Sequence, residues 1–369
     1  MSSLLQVAKT EYRVELVQVL LRHGERTPRE KELWPKDTHN LSTYEPWGLG
    51  QMTNQGKKRE YRIGQMLRER YDEFLGDIYH PRDVYAVSSD MDRTKMSLQL
   101  VLAGLYHPSP TQLWNESLSW MPIPTHYMPE KVDILMKPDF SPVYIAALEA
   151  AKNSEESLKK ISVYKDLFDY LTEKTGLNVT RTNQVYEMYN AVVAQRCMNL
   201  PSPEWCTDEV YKKMQEVVNL EYEIRSSTAA LRRLNGGTIV KRFIDNIKRH
   251  EENDRKRKIY LYSGHEVNIA AYVRAHNLTE PVLPPYGCAI ILEKLGNESG
   301  KSFVRMLRWT GITEELIPYK LNDDEICPLE KYVKMVEGVI PSEVECNHMW
   351  DYVSKEDLQH LYDEKLSFD

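Results

Sequence analysis

Between positions 12 and 21 the chain turns apolar, and the run Val17-Gln18-Val19-Leu20-Leu21 stops abruptly at Arg22-His23-Gly24-Glu25-Arg26-Thr27-Pro28. A strand buried on both faces of a parallel sheet reads this way. Residues 29–50 carry Pro, Trp, Gly and polar positions without a period, which predicts a long loop. Helical spacing then returns over 53–76, with Ile63, Met66, Leu67, Tyr71 and Leu75 on one face. A second strand is predicted over 83–89, ending at Ser88-Ser89-Asp90, with a helix that has Arg93 in its first turn.

Residues 107–142 are rich in proline and aromatics and predict irregular structure, while 143–235 are helical by pattern, broken at Gly176 and around Pro201-Ser202-Pro203. A helix over 238–250 and the charged loop Glu251 to Lys258 lead to a third strand, Ile259-Tyr260-Leu261-Tyr262, which stops at Ser263-Gly264-His265-Glu266. Asn268 to Ala275 continues as a helix, and 287–293 with 302–309 alternate as a late antiparallel hairpin. The expected architecture is α/β: a mostly parallel central sheet flanked by helices. Residues 1–106 and 237–369 form the α/β unit, and 107–236 form an inserted helical cap.

Three strands thus end in Arg-His, Ser-Asp-x-Asp-Arg and His-Glu, and open α/β sheets place their chemistry beyond such ends. Two arginines four positions apart with a histidine between them suit an anion with several oxygens, since guanidinium offers fixed paired donors. A neutral imidazole is also a competent nucleophile toward phosphorus. The pattern brings Arg22, His23 and Arg26, then Arg93, then His265 and Glu266, to one edge of one sheet. Arg93 in a first helical turn adds backbone donors that favour an anion.

Composition narrows the function classes. A chain of 369 residues with 41% hydrophobic and 28% charged residues is an ordinary globular sequence. Its net charge of −7 argues against a nucleic-acid surface, and no apolar run approaches the roughly 20 residues that cross a bilayer. Spaced His/Cys pairs of zinc type are missing, so no metal is expected; no cofactor is expected either. Met1-Ser2-Ser3-Leu4-Leu5 lacks a basic start and long apolar run, yet sequons at Asn40, Asn115, Asn178, Asn277 and Asn297 suit a secreted glycoprotein. The reading that reconciles these is an extracellular protein in its mature form. Five cysteines, Cys197, Cys206, Cys288, Cys327 and Cys346, leave at least one unpaired within the chain.

Arg22-His23-Gly24-Glu25-Arg26-Thr27-Pro28 resembles the signature of the histidine acid phosphatases. Further segments resemble that family in the same order: Trp47-Gly48-Leu49-Gly50-Gln51-Met52-Thr53 with Gly56, Ser88-Ser89-Asp90-Met91-Asp92-Arg93-Thr94, Tyr262-Ser263-Gly264-His265-Glu266, Pro284-Pro285-Tyr286 and Cys327-Pro328-Leu329-Glu330. The resemblance implies that His23 forms a phosphohistidine, that Arg22, Arg26, Arg93 and His265 hold the phosphate, and that no metal takes part. It also implies a Cys197–Cys288 disulfide, with Cys327 and Cys346 re-paired with each other and Cys206 free or competing for Cys197. Two positions depart from the pattern: Val87 stands where many members of the family have an arginine, and Glu266 stands where the family has the aspartate that protonates the leaving group. The longer arm keeps the carboxyl but moves it, and misplacement near 1 Å costs about a hundredfold in rate.

A chain with a degenerate acid is similar to the acid-phosphatase-like proteins of insect saliva, notably of fleas. These scavenge biogenic amines such as serotonin, and leukotrienes. The resemblance therefore implies a secreted salivary binder with impaired or absent catalysis. The other reading is an active secreted acid phosphatase cleaving phosphomonoesters through His23. The arginine-rich pocket suits a carboxylate or phosphate and repels a protonated amine, so amine binding calls for Glu266 in close contact or a separate aromatic box with an acid. Trp114, Trp120, Tyr127, Tyr186, Tyr189 and Trp205, with Glu204 and Asp208, are the candidates. Self-association into a homodimer is a further expectation.

Overall fold

The computed structural model describes residues 12–252 and 256–348. Its centre is an eight-stranded sheet. The strands are β1 (Tyr12–Arg22), β2 (Val84–Ser89), β3 (His126–Met128), β4 (Ile259–Gly264), β5 (Ala289–Asn297), β6 (Ser302–Trp309), β7 (Leu316–Pro318) and β8 (Cys327–Pro328). They lie in the order β3-β2-β4-β1-β5-β6-β7, with β8 also on β6. Pairing is parallel from β3 to β1 and antiparallel from β1 onward. The fold class is as expected, but the antiparallel share is larger than the one hairpin predicted. Strand β5 runs back along β1 itself, and the short β7 and β8 extend that half of the sheet.

Strand β1 lies between β4 and β5 and is buried from Leu16 to Arg22. Its alternating side chains feed two cores. Leu16 and Leu20 point toward α9 (Gly236–Glu252) and α10 (Glu266–Ala275), packing with Phe243, Ile269 and Tyr272. Val17, Val19 and Leu21 face the other side, with Ile63 and Leu67 of α1 (Asn54–Leu75) and Leu98 and Val101 of α2 (Asp92–Leu105). Each fully buried aliphatic side chain of this kind contributes about 1.5–3 kcal/mol. Thr53 caps α1 by accepting from the Gly56 backbone N at 3.3 Å. Gly24 and Gly56 let the loop after β1 press against that helix: a Cβ on Gly24 would lie 2.5 Å from the Gly56 carbonyl oxygen.

The helices α3 (Pro142–Lys152), α4 (Glu155–Ser162), α5 (Lys165–Thr175), α6 (Thr182–Cys197), α7 (Asp208–Ile224) and α8 (Ala229–Leu234) follow the pattern expected for 143–235. Two clusters hold them together, one through Phe168, Val185, Met188 and Val217, the other through Tyr144, Leu148, Ile224 and Leu231. Trp34, from the loop after β1, enters the first of these.

Two expectations are corrected. The stretch 107–142 contains β3, which pairs with β2 through Val87 and His126. Three residues between Pro124 and Pro129 are too short to show a period. The cysteines are all free thiols. Alternation along β5 turns Cys288 toward the α9/α10 core, together with Ile290 and Leu292. Cys197, on α6, lies near Glu25, Arg22 and Arg59. Cys346 lies near Lys241 and Asp245, whereas Cys327 neighbours Lys331 and Asp324.

Candidate active site

The site forms where β1, β2 and β4 end side by side. Arg22 pairs with Gly264 in the parallel register, and Ser88 pairs with Ser263. Beyond the last pair, the His23 backbone N donates to the Gly264 carbonyl at 3.1 Å, and the Arg22 backbone N donates to the Cys288 carbonyl at 2.9 Å. These bonds fix where both side chains begin.

His23 is buried, and its Nδ1 lies 2.8 Å from its neighbour's carbonyl, Gly24 O. A carbonyl only accepts, so the ring proton sits on Nδ1 and the lone pair on Nε2. Arg93 Nε donates to that Nε2 at 3.1 Å. Burial, then Arg93, Arg22 and Arg26, push the imidazole pKa well below its usual range, which favours the neutral, nucleophilic ring. His265 caps the N-terminus of α10, and its ring centroid lies 5.4 Å from that of His23. Its Nε2 shares a hydrogen bond with Ser89 Oγ at 2.9 Å, and Ser89 in turn bonds Thr94 Oγ1 at 2.9 Å. Burial, then Lys137 and Arg93, hold this imidazole neutral too.

The arginines differ in how they are held. Arg26 makes a two-pronged pair with the buried Glu32, Nη1 to Oε2 and Nη2 to Oε1, both at 2.7 Å. Glu32 also accepts from Arg29, from its Nε at 2.7 Å and its backbone N at 2.8 Å. Burial alone would raise the Glu32 pKa, but Arg26 and Arg29 outweigh it and keep the carboxylate ionised. Arg22 donates from Nη1 to Pro284 O at 2.6 Å and stacks on Tyr286, with Cζ 4.0 Å from the ring centroid. Its Nη2 and the Nε of Arg26 are buried without a partner. Buried donors of this kind are costly unless an acceptor reaches them, and they mark the place of an oxyanion. Burial, then Arg26 and Arg29, bring the Arg93 pKa down to about 9, still high enough to keep it cationic at neutral and acidic pH.

Glu266 opens α10. Its Oε2 lies 3.1 Å from Arg22 Nε, close as an ion pair but out of line for a hydrogen bond. Its Oε1 accepts a short hydrogen bond from Tyr186 Oη of α6. Burial alone would raise the carboxyl pKa; Arg22, with the Tyr186 hydrogen bond and Arg26, outweighs it and holds it far below the usual carboxylate range.

The structure therefore brings Arg22, His23, Arg26, Arg93, His265 and Glu266 into one buried cluster. Of the proposed aromatic box it brings in Tyr186 alone. Trp114 and Trp120 are 54% and 41% exposed, joined by the Trp114 Nε1 bond to Trp120 O, and Tyr127 lies at the sheet edge under Lys95. Tyr189 packs on Tyr211, and Trp205 packs on Trp34, while Glu204 and Asp208 are exposed at the start of α7. Tyr189 shares α6 with Tyr186 and packs with Trp205 against one cluster, whereas Trp114 and Trp120 pair with each other in the segment before β3, so the eight do not gather into one box.

Four contributors escaped the sequence reading: Glu32, Arg29, Lys137 and Tyr222. Glu32 lies in an aperiodic loop beside Glu30 and Lys31, and nothing in the sequence separates it from them. Lys137 pairs with Glu130 at 3.1 Å and acts electrostatically on His265. Tyr222 of α7 meets Tyr186 edge to face, with centroids 6.0 Å apart.

Comparisons with known proteins bear on the family. Residues 13–308 match the sequence profile of the histidine phosphatase superfamily (branch 2). The chain is 39% identical over 350 residues to the venom acid phosphatase of Apis mellifera, covering 93% of this chain and 89% of that protein. It is 30% identical over 338 residues to the prostatic acid phosphatase of Homo sapiens, covering 89% and 86%. Among solved structures, the apo form of Hafnia alvei phytase superposes with a TM-score of 0.66 at 15% identity, over 91% of this chain and 98% of that one, a likeness of fold alone. Matched from β1 through β6, and matched again by acid phosphatases over nine-tenths of its length, the chain belongs to branch 2 of the histidine phosphatase superfamily.

Proposed function

We propose that the protein is an extracellular acid phosphatase of reduced power, which takes the phosphoryl group of a phosphomonoester onto His23. The observation that carries this reading is the Nε2 lone pair of His23 facing Arg93, amid the partnerless donors of Arg22 and Arg26. A phosphate ester held by these donors presents phosphorus to Nε2. Attack forms the N–P bond and breaks the ester P–O bond, and the leaving oxygen carries off the electron pair. An alkoxide needs a proton as it leaves, and Glu266 is the carboxyl available. Water then attacks the phosphohistidine, the N–P bond breaks, and the water's proton passes to the Glu266 carboxylate. Held ionised by Arg22 and Tyr186 while the cradle is empty, Glu266 suits this second step better than the first. Its longer arm also misplaces the carboxyl for the first step, which costs about a hundredfold in rate even when it carries a proton.

The test follows from that asymmetry. At acidic pH the protein should release p-nitrophenol, whose anion leaves unaided, while an alkyl phosphate should turn over at least about a hundredfold more slowly. His23→Ala should abolish both. Equal rates for the two esters, or activity that survives His23→Ala, would overturn the reading. Glu266→Asp should narrow the gap between the esters.

One observation favours a second reading, a scavenger of small mediators. Glu266 is a buried carboxylate whose neighbours include the rings of Tyr186 and Tyr222, a setting suited to a protonated amine such as serotonin. The carboxylate of a leukotriene would instead take the arginines. Titration calorimetry with each ligand decides it: absence of heat from both, at micromolar protein, rules the scavenger out.

A further inference from the structure

A general acid carries its proton into the reaction, whereas the Glu266 carboxyl is held as a carboxylate by two different grips. One grip is movable. Arg22 is shared among Pro284 O, the Tyr286 ring and Glu266, its Nε points past Glu266 Oε2, and its Nη2 has no partner. The other grip is fixed: Tyr186 is anchored in α6 and donates to Oε1. A divalent oxyanion bound beside the partnerless donors competes for Arg22 and brings like charge close to Glu266. Both effects favour the protonated carboxyl.

We propose that filling the cradle with a divalent oxyanion transfers Arg22 from Glu266 to the anion and draws one proton onto Glu266, with Tyr186 as the positioning residue that keeps the carboxyl in place meanwhile. The inference rests on the phosphatase reading and deepens it: the substrate itself arms the acid. The groups facing Glu266 are Arg22 and His23 at the end of β1, Arg26 in the loop beyond it, Arg93 of α2, Tyr186 of α6 and Tyr222 of α7. Of these, His23 is the rival for the proton. Its Nδ1 already carries a proton toward Gly24 O, and its Nε2 receives the Arg93 N–H, so a second ring proton would point at a donor.

Sulfate is the probe, because it remains a dianion at about pH 6 and carries no proton of its own. Calorimetric titration in buffers of different ionisation enthalpy counts the protons exchanged on binding. The native protein should take up about one proton per sulfate, and Glu266→Gln about none. Absence of uptake by the native protein, or uptake that persists in Glu266→Gln, overturns the proposal. An infrared difference spectrum of the native protein with and without sulfate tests it without a variant: a new carboxylic-acid carbonyl band is expected, and its absence counts against. For Tyr186→Phe, turnover of an alkyl phosphate should fall about tenfold, while phosphohistidine formation from an aryl phosphate stays within about twofold. An equal fall in both would leave Tyr186 a merely structural residue and overturn its role. Failure of sulfate to bind at all is a different result: it removes the anion cradle, and the phosphatase reading with it.

Discussion

Glu32 shows how a site of arginines is kept from flying apart. Four cations, Arg22, Arg26, Arg29 and Arg93, gather around His23, and Glu32 answers two of them with one carboxylate that is itself fully buried. Removing one partner of a buried pair leaves an uncompensated charge, which costs about 3–5 kcal/mol. Glu32→Ala is therefore expected to lower unfolding stability by about that much in urea titration, more than the loss of any exposed ion pair would. A change below about 1 kcal/mol would mean that solvent reaches Arg26. At this scale the sequence was legible where chemistry is contiguous. Arg22, His23 and Arg26 sit in one heptapeptide, and Arg93 and Glu266 follow strand ends. Glu32 and Tyr186 were not legible as partners, because what selects them is a distance across a loop and a distance across helices.

Among the elements, α10 does two jobs. Its first turn carries His265 and Glu266 into the site, and its far end buries His276 against α11 (Leu329–Val336). His276 Nδ1 donates to Tyr272 O at 2.8 Å, and its Nε2 shares a 3.0 Å hydrogen bond with Tyr332 Oη. Burial depresses its pKa to about 4, although the Tyr272 carbonyl works the other way. The sign is that of a base buried neutral. As pH falls below the ordinary imidazole value of about 6.5, the unfolded chain binds a proton that the folded chain refuses, until pH nears the folded value. This one group should thus remove about 2 kcal/mol of stability between pH 7 and pH 5. The stability gap between the native protein and His276→Gln should narrow by that amount over the same interval. A gap that does not change with pH would show that His276 is solvated. The periods of the sequence located β1, α1, β2 and β4 to within a few residues, since each is long or fully buried. They missed β3 because three residues between prolines have no period to read.

Over the whole molecule, the sheet positions the chemistry at one end and leaves a different feature at its edge. Among the described residues β3 is an edge strand of the sheet, and its Tyr127, with Leu113, Trp114, Leu118 and Trp120 of the segment leading into it, are all more than 40% exposed. An apolar corner next to an edge strand is a natural seat for a second copy, whose own edge continues the sheet. Sedimentation velocity should show a dimer at micromolar concentration that Trp114→Glu converts to a monomer with unchanged phosphatase activity. A native monomer would dismiss the homodimer. The segment 107–236, read from composition as a cap, is in our view the part that tunes the site, because it supplies Tyr186, Lys137 and Tyr222. No helix among the described residues is long and apolar enough to cross a membrane.

The claim on which the account turns is that His23 accepts phosphorus, and trapping the intermediate tests it most directly. The protein is mixed with a radiolabelled aryl phosphate, quenched in alkali within one turnover, and digested. The account predicts label on the peptide containing His23, stable in alkali and lost in mild acid, approaching one phosphoryl group per chain and missing from His23→Ala. Hydrolysis of the ester without such label, or label on another residue, would contradict it.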